Sequence, residues 1–396
     1  MAMRRPSAPL SDGANRAGVA RANAEMSLLR KVRVLVVDDS PVVCRVIAGL
    51  LGRDTDIEVV GTAGDPYVAR DLILSLEPDV LTLDIDLPRM QGLAFLRVLK
   101  EHRPLPVIIV SSFTPEGSLT ALEALSAGAV DVISKASPAW GTDGFSAQFC
   151  ERVKAAARAR LVNNAPMDGP RVEAGNVAAG FGRRQILLIG ASTGGTEALR
   201  HVLTRLPDAL PGMCIVQHFP AGFSEAFARR LEKSCAFEVR EAADGDRIQP
   251  GLALIAPGDY HMVVQDEGGQ LRARLVQTPP VHHTRPSVDV LFESAARVGA
   301  CVVAVLLTGM GTDGARGMQA LKAQGARTLV QDESSCVVYG MPRAAVELGV
   351  ADHVVPLAKM PQAIVRALHA QATMAAAHAH SISPEHAENC FSGAEH

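Results

Sequence analysis

Short apolar runs rich in valine, isoleucine and leucine recur along the chain, separated by stretches whose apolar residues return every third or fourth position. In the first part they fall at 32–37, 58–63, 80–83, 107–110 and 130–133, with helical spacing clearest over 92–100 and 119–127. Uniformly apolar strands alternating with helices predict a parallel sheet covered on both faces. A series of this length predicts a flavodoxin-like doubly wound α/β domain whose site lies at the carboxyl ends of the strands. The pattern then fades into an Ala/Arg-rich segment followed by Asn163-Asn164, Pro166, Asp168-Gly169-Pro170, Gly175 and Gly180-Phe181-Gly182, which is linker composition. A second α/β series begins at Gln185, with strands predicted at 186–189, 213–217, 253–256, 271–276, 302–308 and 327–331. It predicts a second α/β domain on a Rossmann-like parallel sheet. The expected organisation is a disordered extension over 1–30, a first domain over 31–150, a linker over 151–184, a second domain over 185–370 and a low-complexity tail over 371–396.

The 396-residue length agrees with two domains at about 150 residues each. A net charge of −3 leaves no electrostatic footprint for nucleic acid, and no basic recognition helix follows the linker. The longest apolar runs, such as 301–307, are far short of the roughly 20 residues that span a bilayer, so no membrane insertion is expected. Seven scattered cysteines, an odd number without a Cys-x-x-Cys pair, read as reduced thiols in a cytoplasmic protein. The first residues lack a secretory h-region, and Met26 is an alternative start to Met1. The tail carries His378, His380 and His386 and reads as a solvated segment.

Acidic residues punctuate the first series. Asp38 and Asp39 end its first strand and Asp84 its third, and in a doubly wound sheet these ends are neighbours. Converging carboxylates repel unless a cation sits among them, and oxygen donors at this density suit Mg²⁺. Asp84 is then placed to attack a phosphoryl donor, while Ser111 and Lys135, ending the fourth and fifth strands, supply a hydroxyl donor and a cation to the phosphoryl oxygens. Together these residues resemble the receiver domain of two-component response regulators over 32–135. The resemblance implies phosphorylation at Asp84 by a histidine kinase, a metal pocket formed by Asp38, Asp39 and Asp84, and a backbone carbonyl contributed by Asp86. Two positions depart from the receiver pattern: Ala136 stands where a proline is usual, and Val132 where a switch aromatic is usual.

In the second series Gly190-Ala191-Ser192-Thr193-Gly194 follows a strand and opens a helix. A Gly-x-Ser-x-Gly there serves a nucleophile, a phosphate-binding loop or a plain turn. A phosphate or dinucleotide loop calls for a lysine, or for an acidic residue about 20 positions on; Glu197 is too close, and His218 ends the next strand instead. Asp313, in the Gly-rich turn after the strand near 302–308, completes a Ser-His-Asp set. His261 and the pair His282-His283 compete with His218 as bases or line a substrate cleft. The order Ser, His, Asp differs from that of α/β-hydrolases, so the motif does not identify that fold.

The motifs at 189–199, 217–223, 255–259, 285–289, 307–314 and 331–336, behind a receiver, resemble the chemotaxis protein-glutamate methylesterase (CheB) family. The resemblance implies a serine carboxylic-ester hydrolase acting on glutamate γ-methyl esters of methyl-accepting chemoreceptors, releasing methanol, and also deamidating receptor glutamines. Backbone amides near Thr193 and Met310 are candidates for the oxyanion hole; Mg²⁺ is expected in the receiver and no cofactor in the esterase site. The other function class left open is a receiver-controlled, non-catalytic module that binds a nucleotide or a protein. A related methylesterase serving a non-motility chemosensory pathway also fits the motifs.

Overall fold

The computed structural model of the chain describes residues 30–111, 115–135, 140, 142–159, 172, 184–297 and 301–381. The expected extension up to residue 29, including Met26, lies outside them, as do Ala136 and the tail from 382 with His386 and Cys390.

The first unit contains β1 (Val32–Val37), α1 (Pro41–Leu51), β2 (Ile57–Ala63), α2 (Pro66–Leu76), β3 (Val80–Leu83), α3 (Gly92–His102), β4 (Val107–Ser111), α4 (Pro115–Ser126), β5 (Asp131–Ser134) and α5 (Asp143–Ala157). The strands form one parallel sheet in the order β2-β1-β3-β4-β5, the flavodoxin-like order expected from the pattern. Helix starts follow local chemistry. The Ser40 hydroxyl accepts from the Val43 amide ahead of Pro41, and the Asp65 carboxylate accepts from the Tyr67 and Val68 amides ahead of Pro66. α5 buries Phe149, Cys150, Val153 and Ala156 among Ile47, Leu51 and Ile108, so the first unit runs past residue 150 into the stretch with linker composition.

The second unit contains β6 (Gln185–Ala191), α6 (Gly195–Leu203), β7 (Gly212–Gln217), α7 (Ser224–Glu232), β8 (Glu238–Glu241), β9 (Asp246–Arg247), β10 (Leu252–Ile255), β11 (His261–Glu267) and β12 (Gln270–Val276). It continues with α8 (Val288–Arg297), β13 (Cys301–Leu306), α9 (Ala315–Ala323), β14 (Arg327–Gln331), α10 (Met341–Glu347), β15 (His353–Val355) and α11 (Met360–Ser381). Seven strands form a parallel sheet in the order β15-β14-β13-β6-β7-β10-β8. The chain leaves β6 to one side through β7 and returns to the other side at β13, a switch point at which α/β sheets open a crevice.

The run at 271–276 departs from expectation. It forms β12, antiparallel to β11 across the Gly268-Gly269 turn and to β9 on its other edge, in a separate three-stranded sheet. Leu271 and Ala273 are buried while Arg272 and Arg274 are not, and this alternation marks a sheet with one face in the core. β6, buried throughout, and β13, buried from Val302 on, have the contrasting pattern. α11 also reaches well beyond residue 370, and there Gln371 donates to the Gly325 carbonyl at 3.0 Å.

No disulfide forms among the described cysteines, and no helix in the described residues is long and apolar enough to cross a membrane. On α6, burial, with the charges of Arg205 and Arg200, lowers the pKa of His201 from 6.5 to about 4. The unfolded chain therefore takes up a proton that the folded chain refuses. The stability contributed is whole above 6.5 and is lost as pH falls towards about 4, by at most about 3 kcal/mol. In His201→Leu this portion of the acid destabilisation is expected to disappear, read from urea midpoints at pH 7 and pH 4.5; an unchanged difference between the two midpoints contradicts the assignment.

Candidate active site and candidate phosphorylation site

The strand register explains why distant acidic residues converge in the first unit. Val37 pairs with Leu83, so Asp38 and Asp84 follow on adjacent strands, and the Asp84 amide donates to the Val37 carbonyl at 2.9 Å. Lys135, just after β5, places Nζ 2.6 Å from both Asp38 Oδ2 and Asp84 Oδ2. Burial works against the Lys135 charge, but the close contacts with the Asp38 and Asp84 carboxylates raise its pKa above the ordinary lysine value. Ser111 is buried at the end of β4, where its carbonyl accepts from the Lys135 amide.

Oxygens of Asp38, Asp39 and Asp84 lie within 4.8 Å of one another. Burial pushes the Asp38 carboxyl pKa up despite Lys135, and its Oδ2, though in ionic contact with that lysine, receives no aligned hydrogen bond. Three converging sets of hard carboxylate oxygens, one of them without an aligned hydrogen bond, fit a magnesium ion. Asp86 is exposed and its carboxylate stands outside the cluster.

The same register logic builds the second site. Ala191 of β6 pairs with Gln217 of β7, so Ser192 and His218 emerge side by side. Gly190 pairs with Leu306, which brings the turn after β13 to the same edge, and the Ser192 amide donates to the Thr308 carbonyl at 3.0 Å. Ser192 Oγ is 3.0 Å from His218 Nδ1, and His218 Nε2 is 2.8 Å from Asp313 Oδ2. An ionised Asp313 can only accept, so the imidazole proton is assigned to Nε2 and the Nδ1 lone pair faces the serine hydroxyl. Phe219 packs against Phe223 and, edge-on, against Phe227, with ring centroids 4.9 and 5.0 Å apart, anchoring the loop that carries His218.

Asp313 is almost wholly buried. Its Oδ1 accepts from the Ser287 hydroxyl and the Asp289 amide, and its Oδ2 accepts from the Val288 amide as well as from His218. These amides are the first of α8, where the helix dipole also favours an anion. Burial pushes its pKa up, but the His218 bond and charge and the amides of Asp289 and Val288 outweigh that and hold it below the usual carboxylate range.

Glycines are required at two points. Gly194 caps α6 at φ 76°, and a Cβ there would lie 2.6 Å from Val337 Cβ. A Cβ on Gly309 would lie 2.8 Å from Ser192 Cβ. Ser192 itself is not among the positive-φ residues, which separates this turn from the strained serine elbow of α/β-hydrolases. Among the described residues, the Thr193 and Met310 amides make no backbone hydrogen bond.

The competing histidines fall elsewhere. His261 begins β11, fully buried, its Nδ1 accepting from the Ser287 amide and its Nε2 facing the Pro279 carbonyl. Both nitrogens are engaged, so it supports the α8 end instead of serving as a base. His282 donates to Asp289 at 2.8 Å and His283 is exposed.

Several contributors went unnoticed in the sequence. Gln217 Nε2 donates to the Ser192 carbonyl at 2.9 Å; Thr308 Oγ1 donates to the Thr193 carbonyl; Gln331 Oε1 accepts from the Thr308 amide. Their signal was a polar residue at or just beyond the carboxyl end of an otherwise apolar strand.

The first unit closes over this site. Thr193 Oγ1 donates to Asp131 Oδ2 at 3.1 Å, and Arg152 holds the same carboxylate at 2.8 Å while donating to the Val132 carbonyl at 2.7 Å. Ser126 donates to Glu197 at 3.1 Å. Leu125, Asp131 and Val132 face Ser192, His218 and Phe219 across a crevice with about 20 Å³ of water-sized space. That is room for about one water.

Comparison with known proteins agrees with this two-part layout. Residues 34–139 match the response regulator receiver domain family, and residues 187–364 match the CheB methylesterase family. A protein of Syntrophus aciditrophicus (strain SB), protein-glutamate methylesterase/protein-glutamine glutaminase 2, is 48% identical over 343 residues, covering 85% of this chain and 99% of that one. A protein-glutamate methylesterase/protein-glutamine glutaminase of Salmonella typhimurium is 46% identical over 348 residues, covering 86% and 98%. The solved CheB methylesterase catalytic domain of Thermotoga maritima is 37% identical, covering 46% of this chain and 97% of that one, with a TM-score of 0.45.

Proposed function

The chain belongs to the CheB family of receiver-bearing protein-glutamate methylesterases, and from that premise we propose that Ser192, His218 and Asp313 are its catalytic triad. The observation that carries the proposal is the unbroken hydrogen-bonded line from Ser192 Oγ through His218 to Asp313, at 3.0 and 2.8 Å. The substrate is a glutamate γ-methyl ester on the cytoplasmic helices of a methyl-accepting chemoreceptor, and the place of action is the cytoplasm. His218 Nδ1 takes the hydroxyl proton as Ser192 Oγ attacks the ester carbonyl, and Asp313 steadies the imidazolium. The Thr193 and Met310 amides receive the oxyanion. His218 returns the proton to the departing methoxide, releasing methanol, and then activates the water that hydrolyses the acyl-enzyme. A glutamine amide at the same position would lose ammonia by the same steps. This chemistry uses side chains and backbone amides alone. The family match does not favour a non-catalytic binding module.

Control comes from Asp84, phosphorylated by a histidine kinase. Asp38, Asp39 and Asp84, with the Asp86 carbonyl, would hold Mg²⁺, which when bound neutralises charge on the incoming phosphoryl group. Ser111 and Lys135 contact the phosphoryl oxygens. Lys135 closes β5, and Asp131 at the other end of that strand bonds Thr193 beside the nucleophile. Drawing Lys135 from Asp38 and Asp84 onto a phosphoryl group pulls on β5 and loosens the Asp131–Thr193 contact, opening the crevice.

The full chain is therefore expected to be labelled at Ser192 by a fluorophosphonate, about 5- to 150-fold faster when acetyl phosphate and Mg²⁺ are supplied. Asp84→Asn is expected to lose that acceleration while keeping the basal rate. A label elsewhere, or an Asp84→Asn chain that still responds to acetyl phosphate, overturns the reading.

A further inference from the structure

A second histidine–aspartate pair stands directly behind the triad. His282 Nε2 donates to Asp289 Oδ2 at 2.8 Å, and atoms of His282, Asp289 and Asp313 lie within 4.8 Å of one another. Asp289 is buried, with its Oδ1 accepting from the Gly317 amide at 2.7 Å. Its own amide donates to Asp313, so one residue touches the triad carboxylate through its backbone and faces His282 through its side chain. The oxygens of both carboxylates are taken up by N–H and O–H donors, which leaves them poor cation ligands despite their spacing.

Two buried carboxylates this close disfavour each other's ionised forms unless each is compensated. Asp313 has the α8 amides, Ser287 and His218; Asp289 has the Gly317 amide and the exposed His282, whose imidazole supplies a positive charge when it is protonated. The loop carrying His282 is shaped to present it. His282 and His283 both take left-handed backbone conformations, φ 50° and 61°, and Val281 and Thr284 close the turn by exchanging backbone hydrogen bonds. Non-glycine residues adopt that region at a cost, so the surrounding structure holds the turn. Among the described residues nearby, His261 is bonded on both nitrogens, Arg285 is paired with Asp259 and His283 is exposed.

The geometry points to His282 as a positioning residue that acts through Asp289, compensating that carboxylate so that Asp313 alone presents an anion to His218. The inference rests on the triad assignment. Removing His282 leaves an extra uncompensated carboxylate behind the triad and favours the protonated, inactive form of the base. Removing the Asp289 charge does the opposite.

The test is the pH profile of kcat/KM for methanol release by the full chain on methylated chemoreceptor membranes with saturating acetyl phosphate. Each variant is read as a ratio to wild type so that the receiver's own pH dependence cancels. His282→Ala is expected to move the acidic limb up by roughly half a pH unit or more, and Asp289→Asn to move it down. The double variant is expected to return it close to wild type. A role confined to supporting the loop lowers the plateau and leaves the limb where it was. Limbs that stay in place, or that move in the same direction in both single variants, overturn the proposal. Ser192→Ala, run in parallel, separates the two levels: if it still releases methanol the triad reading fails, and if it does not, an immobile limb counts against His282 alone.

Discussion

Ser192→Ala is expected to abolish methanol release from methylated receptor membranes, lowering turnover by about 10⁶-fold, the scale at which serine hydrolases lose their nucleophile. The fold should tolerate the change. Ser192 is tied into the site by its backbone, through the Thr308 carbonyl and Gln217, and only its hydroxyl is lost. The Cβ against which Gly309 packs remains. The unfolding midpoint in urea should accordingly shift by less than about 1 kcal/mol in equivalent stability. A protein that is folded and silent fits the assignment, whereas one that is folded and within tenfold of wild type refutes it.

The next largest effect is expected at Asp313. Asp313→Asn keeps the size of the side chain but presents an amide where an anion stood, and the amide group that faces His218 decides the imidazole tautomer. An NH₂ directed at Nε2 forces the ring proton onto Nδ1, so the lone pair that should accept from Ser192 is gone. Loss of the correct tautomer in such a triad costs about 10⁴ in kcat. The fall should appear in kcat with KM little changed, because Asp313 lies beneath His218 and away from the crevice lining. The variant also gives up an anion that accepts from Ser287, Val288 and Asp289, so a stability loss of about 1–3 kcal/mol is expected. Kinetics within tenfold of wild type at neutral pH contradict the role given to Asp313.

The sequence carried much of this because parallel α/β folds write their architecture locally. A strand buried on both faces reads as an unbroken apolar run, and such runs marked β1, β3, β6, β7 and β13. Polar residues just past their ends mark the edge where sites form, and Asp38, Asp84, Ser192, His218 and Lys135 stand at such positions. The same reasoning failed for β12, where two arginines alternate with buried residues, and it missed β8 and β11 because their polar positions break the apolar run.

What the sequence determined by itself was the pair of α/β units, with the acidic strand-end edge of the first as a candidate phosphoacceptor site and Ser192, His218 and Asp313 as triad candidates. It put His218 forward from its place at a strand end, with His261 and His282-His283 left as competing bases. Register chose: Ala191 opposite Gln217 puts His218 beside Ser192, whereas His261 starts its strand and is spent on Ser287 and Pro279. Only the tertiary structure brought the α8 amides onto Asp313, set Asp131 against Thr193, and placed the His282–Asp289 pair behind the triad. The physical reason is range. Apolar periodicity and strand-end polarity are properties of neighbouring residues, while hydrogen bonds between groups tens of residues apart exist only once packing has fixed where those groups meet.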